Sequence, residues 1–421
     1  MFDRIYRQRL DADLARWEAD GVVTPAVVAA IRGTLPATAS GVNIPVVVGI
    51  VGGLLIAAAF LAFVAAHWTD IARLSRFAIL IAGIVAANGL GAWFARTGRL
   101  VLADLCASVG AIVFGAGIAL VGQMYHLGED FAGGMLLWSA GALATAALTG
   151  SRGALAVALA AASVWSWLRV ADLQDGPHLA FVALWIAAGG LALAWNSRVA
   201  AHLVALATLP WWIATAFELD LRNSQPLFIL ADGAALLLGG GLAMAAAPWQ
   251  RVRDAGGVLA AYGAFALASV AALEVVTTNE LFRIRAEDVQ PLWTIACGVG
   301  GAILAVATGA LRRDAGALVA GGAIALMLLA AVAWRSPQAG GPWLAYALTL
   351  CAMLGLVVSG MLDANRARTV AGWLGIAGAI AGITWAVEGS LLRRSAFLAA
   401  AGLVVVALAA VLNRWLPRSE P

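Results

Sequence analysis

Long apolar runs recur along this chain and constrain its fold more than any other feature. They extend from Val42 to Leu412, and each run of about 17–25 residues is long enough for a helix to cross a hydrocarbon layer of about 30 Å. The runs are apolar on every face and lack the period-two alternation of a membrane β-barrel. With only 12% charged residues, the chain cannot form the surface of a water-soluble protein. We therefore predict an all-α protein, a polytopic transmembrane helical bundle.

The runs divide the chain into about fourteen predicted transmembrane helices. The predicted spans cover residues 42–66, 77–95, 101–121, 132–149, 153–168, 178–195, 199–217, 226–247, 255–276, 291–311, 315–334, 342–361, 369–387 and 395–412.

The 26 basic residues, all of them arginines, fall mainly on one side of these spans. If successive spans cross in alternate directions, the N-terminal segment, every second loop and the C-terminal tail hold 17 arginines, and the other side holds 9. Short loops rich in arginine stay in the cytoplasm. We therefore predict that both termini are cytoplasmic. Tryptophans recur toward the other side, as at Trp138, Trp165, Trp185, Trp211 and Trp334, and predict an outer aromatic belt.

A short cytoplasmic N-terminal helical hairpin precedes the first predicted span. Apolar residues at helical spacing predict an amphipathic helix over about residues 3–19. Asp20 and Gly21 supply a turn, and Thr24 followed by Pro25 has the residue types that begin a second helix, ending near Leu35. The hairpin is expected to lie on the membrane or under the bundle; the alternative is that residues 1–40 bind a protein partner.

Three stretches of the first third of the chain have a distinctive sequence. They are LARWEADGVVTP from Leu14 to Pro25, AHWTD from Ala66 to Asp70 together with RLSRF from Arg73 to Phe77, and GAGIALVGQMYH from Gly115 to His126. Over about residues 14–149 the chain resembles a bacterial family of integral-membrane proteins of unknown function (domain of unknown function 2157). The resemblance implies a cytoplasmic short-helix segment leading into a many-helix bundle in the bacterial cytoplasmic (inner) membrane. It implies no substrate or activity.

We accordingly divide the chain into three parts. Residues 1–40 form the cytoplasmic amphipathic helical segment. Residues 41–149 form the family-like membrane region of about four transmembrane helices, and residues 150–421 form about ten further membrane helices and a short cytoplasmic tail.

An unusual group of polar side chains follows the first and third predicted spans. Its members are His67, Asp70, Gln123, Tyr125, His126, Glu129 and Asp130. Both loops are predicted to face the outer side. If the two hairpins are neighbours, their imidazoles and carboxylates lie together at one mouth of the bundle. Such a group would suit a metal, a proton relay or a polar headgroup. The alternative is that they are interface anchors and solvated loop charges. The histidines lack the HExxH spacing of zinc sites, and we predict no metal.

Two aspartates fall within predicted spans. Charges at depth in a bilayer are costly and point to function when they are buried. Asp104 is near the cytoplasmic start of its span, close enough to Arg99 to be interfacial. Asp232 lies deeper, in the sequence Leu230-Ala-Asp-Gly-Ala234, and is the stronger intramembrane candidate; a hydrogen-bonded structural aspartate is the alternative.

The sequence contains no Ser-His-Asp, CxxC, Walker or dinucleotide-binding pattern in a supporting context. We therefore predict no cofactor and no nucleic-acid partner. The predicted partner is the lipid bilayer that surrounds the helices. The leading hypothesis is translocation of a small solute or lipid. The alternatives are an enzyme acting at the outer face on a lipid-linked or headgroup substrate, which is less favoured, and a membrane sensor or assembly factor that uses residues 1–40.

Overall fold

The computed structural model describes residues 13–34, 72–124, 130–170, 177–220, 226–277, 291–335 and 341–386, together with Leu10, Gly52, Leu55 and Gly402. All regular secondary structure within these ranges is α-helical, which confirms the predicted fold class. The predicted first and last spans, residues 42–66 and 395–412, lie outside the described residues.

A short helix, α1 (Pro25–Thr34), precedes twelve longer helices in the described ranges. They are α2 (Arg73–Arg96), α3 (Leu100–Met124), α4 (Phe131–Thr149), α5 (Arg152–Val170), α6 (Leu179–Ala194), α7 (Arg198–Asp220), α8 (Pro226–Ala245), α9 (Gln250–Thr277), α10 (Leu292–Arg312), α11 (Ala315–Arg335), α12 (Gly341–Leu362) and α13 (Arg366–Ala386). Among the described residues, eleven helices are long and apolar enough to cross a membrane, and α6 is a shorter apolar helix of 16 residues. Each predicted span between residues 77 and 387 overlaps one of these helices, so the polytopic helical bundle is confirmed.

The N-terminal hairpin agrees with its prediction over residues 13–34. Residues 13–19 are helical, and Gly21 ends the first helix with a φ of +69°, a left-handed conformation that glycine adopts without steric cost. The carbonyl of Thr24 accepts hydrogen bonds from the amides of Val27 and Val28, which begins α1. Residues 3–9 of the predicted first helix lie outside the described residues.

Six turns with their flanking arginines lie at one end of the bundle, which we call the arginine-rich end. They are residues 97–99, 150–151, 195–197, 246–249, 313–314 and 363–365. Hydrogen bonds link neighbouring turns: Arg251 donates to the carbonyl of Ala194 at 3.5 Å, and Arg312 donates to that of Ala246 at 2.6 Å. The helices therefore alternate in direction, which was the premise of the arginine count.

The turns at the arginine-rich end repeat one local design. A residue with positive φ stops the incoming helix in five of them, namely Gly98, Gly150, Asn196, Arg313 and Ala364. In four turns a side-chain oxygen then accepts the amide hydrogen three residues ahead and caps the outgoing helix; the capping residues are Ser151, Ser197, Asp314 and Asn365. Such caps satisfy amides that a helix start leaves unpaired, so two or three residues are enough to reverse the chain.

The buried residues form two main apolar cores connected by α7. Small side chains dominate the first core, formed by α3 to α7, with Phe181 as a large buried member. The second core is formed by α8 to α13 and contains larger residues such as Ile324 and Met353. Trp212 on α7 packs with Ile229 on α8, which joins the two cores.

Helix α8 is in backbone contact with the helices on both sides. A Cβ atom at Gly239 would overlap the carbonyl of Gly301 on α10, and one at Gly301 would overlap the backbone of Ala235 on α8. On the other side, a Cβ at Gly241 would overlap the backbone of Ala260 on α9. Helices approach this closely only where small residues leave the backbone bare, as is common in membrane bundles.

Several tryptophans pack between helices, which corrects the predicted outer belt. Trp165 and Trp334 are buried inside the bundle. Four indole N–H groups donate to backbone carbonyls of neighbouring segments, those of Trp138, Trp185, Trp211 and Trp212. An indole removed from water gains from an acceptor because lipid provides none, and for these four tryptophans a backbone carbonyl supplies it.

Gly239 and Gly240 provide a matched test of the backbone contact. We expect Gly239→Ala to lower the free energy of unfolding by about 1–3 kcal/mol, because its methyl group overlaps the backbone of α10 and forces the helices apart. Gly240 has nothing within 4 Å of a Cβ position, so Gly240→Ala should leave stability unchanged or raise it slightly. Thermal unfolding of the purified protein in detergent measures both, and equal effects of the two substitutions would contradict the contact.

Candidate functional site

Asp232 is buried between α8 and α10. Its side chain is on the second turn of α8, and the residue is only 3% exposed. Its Oδ1 occupies the space where a side chain at Gly298 of α10 would begin. The glycine on α10 therefore makes room for a carboxyl group on α8. Helix α8 continues without a break through Gly233, from Pro226 to Ala245.

Glu274 is a second buried carboxyl that the sequence reasoning missed. It is on α9, which packs along α8, and it is 0% exposed. The charge of Asp232 acts on it, so the two side chains belong to one electrostatic site. Glu274 fell inside the predicted span 255–276 but close to its end, where an acid is usually solvated. The available signal was an acid with apolar residues on both sides, Leu273 and Val275.

The two carboxyls lie at different depths near the end of the bundle opposite the arginines. Asp232 is six residues from the start of α8, or about 9 Å, and Glu274 is three residues from the end of α9, or about 4.5 Å. Because α8 and α9 run in opposite directions, both positions are near the same end, with Glu274 nearer to it.

Two tryptophans lie beside Asp232. Trp212 of α7 lies against Gly233, beside Asp232, and donates to the carbonyl of Ile229 at 2.7 Å. Trp293 of α10 packs edge-on against Trp212 with ring centroids 5.8 Å apart. Two carboxylates in such low-dielectric surroundings cannot both ionise at low cost.

Asp104 caps α5 from the neighbouring helix α3. Its Oδ1 accepts a hydrogen bond from the hydroxyl of Ser151 at 2.5 Å and one from the amide of Gly153 at 3.2 Å. It is half-buried, four residues from the start of α3. This aspartate connects the α4–α5 turn to α3, and its interfacial position stays a prediction.

The predicted outer polar group is described only in part. Gln123 is exposed near the end of α3. Asp130 caps α4 by accepting the amide hydrogen of Gly133 at 2.8 Å, and it forms an ion pair with Arg169 at 2.8 Å. The remaining members, His67, Asp70, Tyr125, His126 and Glu129, lie outside the described residues, so their assembly at one mouth stays a prediction. Within the described ranges no three His, Cys, Asp or Glu side chains form a group that could hold a metal ion.

A buried ion pair at the arginine-rich end joins α12 to α13. Arg368 is 4% exposed and donates to the hydroxyl of Ser359 at 2.6 Å and to the carboxylate of Asp363. Burial raises the pKa of Asp363 above its ordinary value of 3.8, although Arg368 acts in the opposite direction; nearby Asp314 adds to the rise. Ionisation of Asp363 therefore lowers the free energy of unfolding, and the charge of Arg368 reduces that loss.

We expect Arg368→Gln to destabilise the protein by about 3 kcal/mol near neutral pH, because it leaves a buried carboxylate without its counter-charge. A carboxyl whose pKa is raised by folding contributes most stability below its ordinary pKa, and loses it as the pH rises through the raised value. The deficit of Arg368→Gln should therefore be smallest below the ordinary pKa of Asp363, 3.8, and grow as the pH rises above it, and Asp363→Asn in the same chain should recover part of it. Unfolding in detergent at several pH values measures this. Arg366→Gln, an exposed neighbour, is the control, and a deficit independent of pH would contradict the assignment.

Comparison with known proteins bears on the first third of the chain. No curated protein and no solved structure matches the chain. Over residues 15–155 the chain matches the model of a family described as "Predicted membrane protein (DUF2157)", which confirms the resemblance seen in its N-terminal motifs.

Proposed function

We propose that this integral membrane protein translocates a small solute or a lipid, and that protons moving through Asp232 and Glu274 drive or gate the movement. The observation that supports the proposal is the presence of two buried carboxyl groups on adjacent membrane helices, within electrostatic reach of each other. Acids at such positions recur in the proton relays of pumps and transporters.

The net charge of the Asp232–Glu274 pair affects how closely α8 and α9 pack. With one proton on the pair, the site carries a single negative charge and the helices pack closely. Loss of that proton places two like charges in low dielectric, which favours separation of α8 from α9 or entry of a cation. A change in protonation is thus able to shift the balance between two packings of the same helices.

The surroundings of the pair support a gated rather than an open path. Asp232 and Glu274 are almost completely shielded in this conformation, so a substrate passes only after helices move apart. The contact between α8 and α10 consists of glycine backbones near Gly239 and Gly301, a surface without large interlocking side chains. Such a contact is suited to sliding of one helix along another.

The test is transport by the full-length protein reconstituted in liposomes. The probes are fluorescent phosphatidylethanolamine, phosphatidylcholine and phosphatidylglycerol, followed by dithionite quenching, and a panel of radiolabelled amino acids, sugars and organic anions. An internal pH dye reports proton movement under an imposed potassium diffusion potential. We expect at least one probe to move with the protein present, accompanied by protons.

Two kinds of variant distinguish the loss of a carboxyl group from a change in helix packing. Asp232→Asn and Glu274→Gln should each slow the proton-coupled movement about tenfold or more, because each removes one titrating group. Gly298→Ala should also slow it, since its methyl group displaces the Asp232 carboxyl, whereas Gly300→Ala has open space and should behave like wild type. Absence of protein-dependent movement of every probe, or unchanged proton coupling in Asp232→Asn and Glu274→Gln, would overturn the proposal.

A further inference from the structure

A cavity of about 620 Å³ opens at the arginine-rich end among α2, α3 and the α4–α5 turn. It exists because the facing helix surfaces consist largely of small residues. The small residues on its wall include Gly91, Ala92, Ala95, Ala103 and Ala107. Its size is within the range of small-molecule sites, which is about 300–1,000 Å³.

The cavity wall carries charges of both signs. Asp104 and Arg152 both line it. The two hydrogen bonds that the Asp104 carboxylate accepts use Oδ1, and among the described residues none donates to Oδ2. Arg152 is exposed at the first turn of α5. The wall therefore offers an anionic acceptor and a cationic donor to the same occupant.

An apolar rim continues from the cavity onto the outside of the bundle. Leu100 is 70% exposed and Leu148 is 88% exposed, and both also line the cavity. On a membrane-spanning bundle, exposed leucines of this kind contact acyl chains. An occupant that uses the whole surface is therefore an amphiphile with a charged head and an apolar tail.

The depth of the charged residues matches the level of lipid headgroups. Helix α3 has 25 residues, or about 37 Å, which exceeds the hydrocarbon layer of about 30 Å by a few ångströms at each end. Asp104 is four residues from its start, or about 6 Å. It therefore lies close to the boundary between hydrocarbon and headgroups.

We propose that this cavity binds the headgroup of an aminophospholipid of the phosphatidylethanolamine type. The primary ammonium donates to Oδ2 of Asp104, the phosphate accepts from the guanidinium of Arg152, and the acyl chains follow the rim at Leu100 and Leu148. A trimethylammonium group has no N–H to donate, and a glycerol headgroup carries no positive charge, so phosphatidylcholine and phosphatidylglycerol satisfy only the arginine. The inference does not depend on the proposed translocation.

The lining residues of the cavity all lie between Asn88 and Arg152, inside the segment matched by the family model. The site is thus built entirely from the part of the chain that this family model describes, and α6 to α13 contribute no lining residue to it.

The test is lipid binding to the purified full-length protein, measured by native mass spectrometry from an equimolar mixture of phosphatidylethanolamine, phosphatidylcholine and phosphatidylglycerol. Wild type should retain phosphatidylethanolamine about tenfold over phosphatidylcholine, the ratio expected for one charge-assisted hydrogen bond. Asp104→Asn keeps an acceptor for Ser151 and Gly153 but loses the charge, so it should reduce that preference to near parity. Arg152→Gln should weaken retention of all three lipids, and Ala95→Phe should block the cavity.

A second cleft at the same end provides the matched control. Arg251 and Asp254 line a space of only about 20 Å³, too small for a headgroup, so Arg251→Gln and Asp254→Asn should retain lipids as wild type does. Phosphoethanolamine in solution should fail to displace the bound lipid, because it lacks the acyl chains. The inference is overturned if wild type shows no preference, if the control variants lose lipid as the cavity variants do, if Ala95→Phe binds normally, or if phosphoethanolamine competes effectively.

Discussion

The backbone contacts of α8 with α9 and α10 determine the arrangement of the second half of the bundle. In a bilayer the surrounding lipid is as apolar as the helix surfaces, so association relies on dispersion and close approach instead of the exclusion of water. Gly239, Gly241 and Gly301 allow that approach. The same close packing places Asp232 against Gly298 and near Glu274, and so it creates the buried acidic site.

The two candidate sites lie in different cores and at opposite ends of the bundle. The carboxyl pair belongs to the helices of the second core, shielded from solvent near the end opposite the arginines. The cavity belongs to α2, α3 and the α4–α5 turn, and opens at the arginine-rich end beside exposed leucines. We propose a proton-responsive role for the first site and binding of an amphiphile for the second. Trp212 and Ile229 join the two cores.

The sequence predicted the helices well because one physical requirement dominates them. A backbone in lipid must satisfy its own hydrogen bonds, so an apolar run of sufficient length becomes a helix whatever its neighbours are. The roles of individual polar side chains depend on neighbours far apart in the chain. The bond of Asp104 to Ser151, for example, joins residues 47 positions apart. Glu274 was overlooked because its position near a helix end does not reveal that other helices cover it. The tryptophans were assigned to the lipid interface by residue type, whereas Trp165 and Trp334 are buried inside the bundle in ring contact with His178 and Tyr346.

Because of the capped turns at the arginine-rich end, the two ends of the bundle differ in their tolerance of inserted residues. A left-handed residue followed by a side-chain cap reverses the chain in two or three positions, and an inserted residue separates the cap from the amide that it serves. The connections at the other end are longer in sequence, such as residues 221–225 and 278–291. Inserted residues, and any new binding surface that they form, should therefore be tolerated most easily at that end. At the arginine-rich end the lengths of the turns are fixed, and only the side chains can vary.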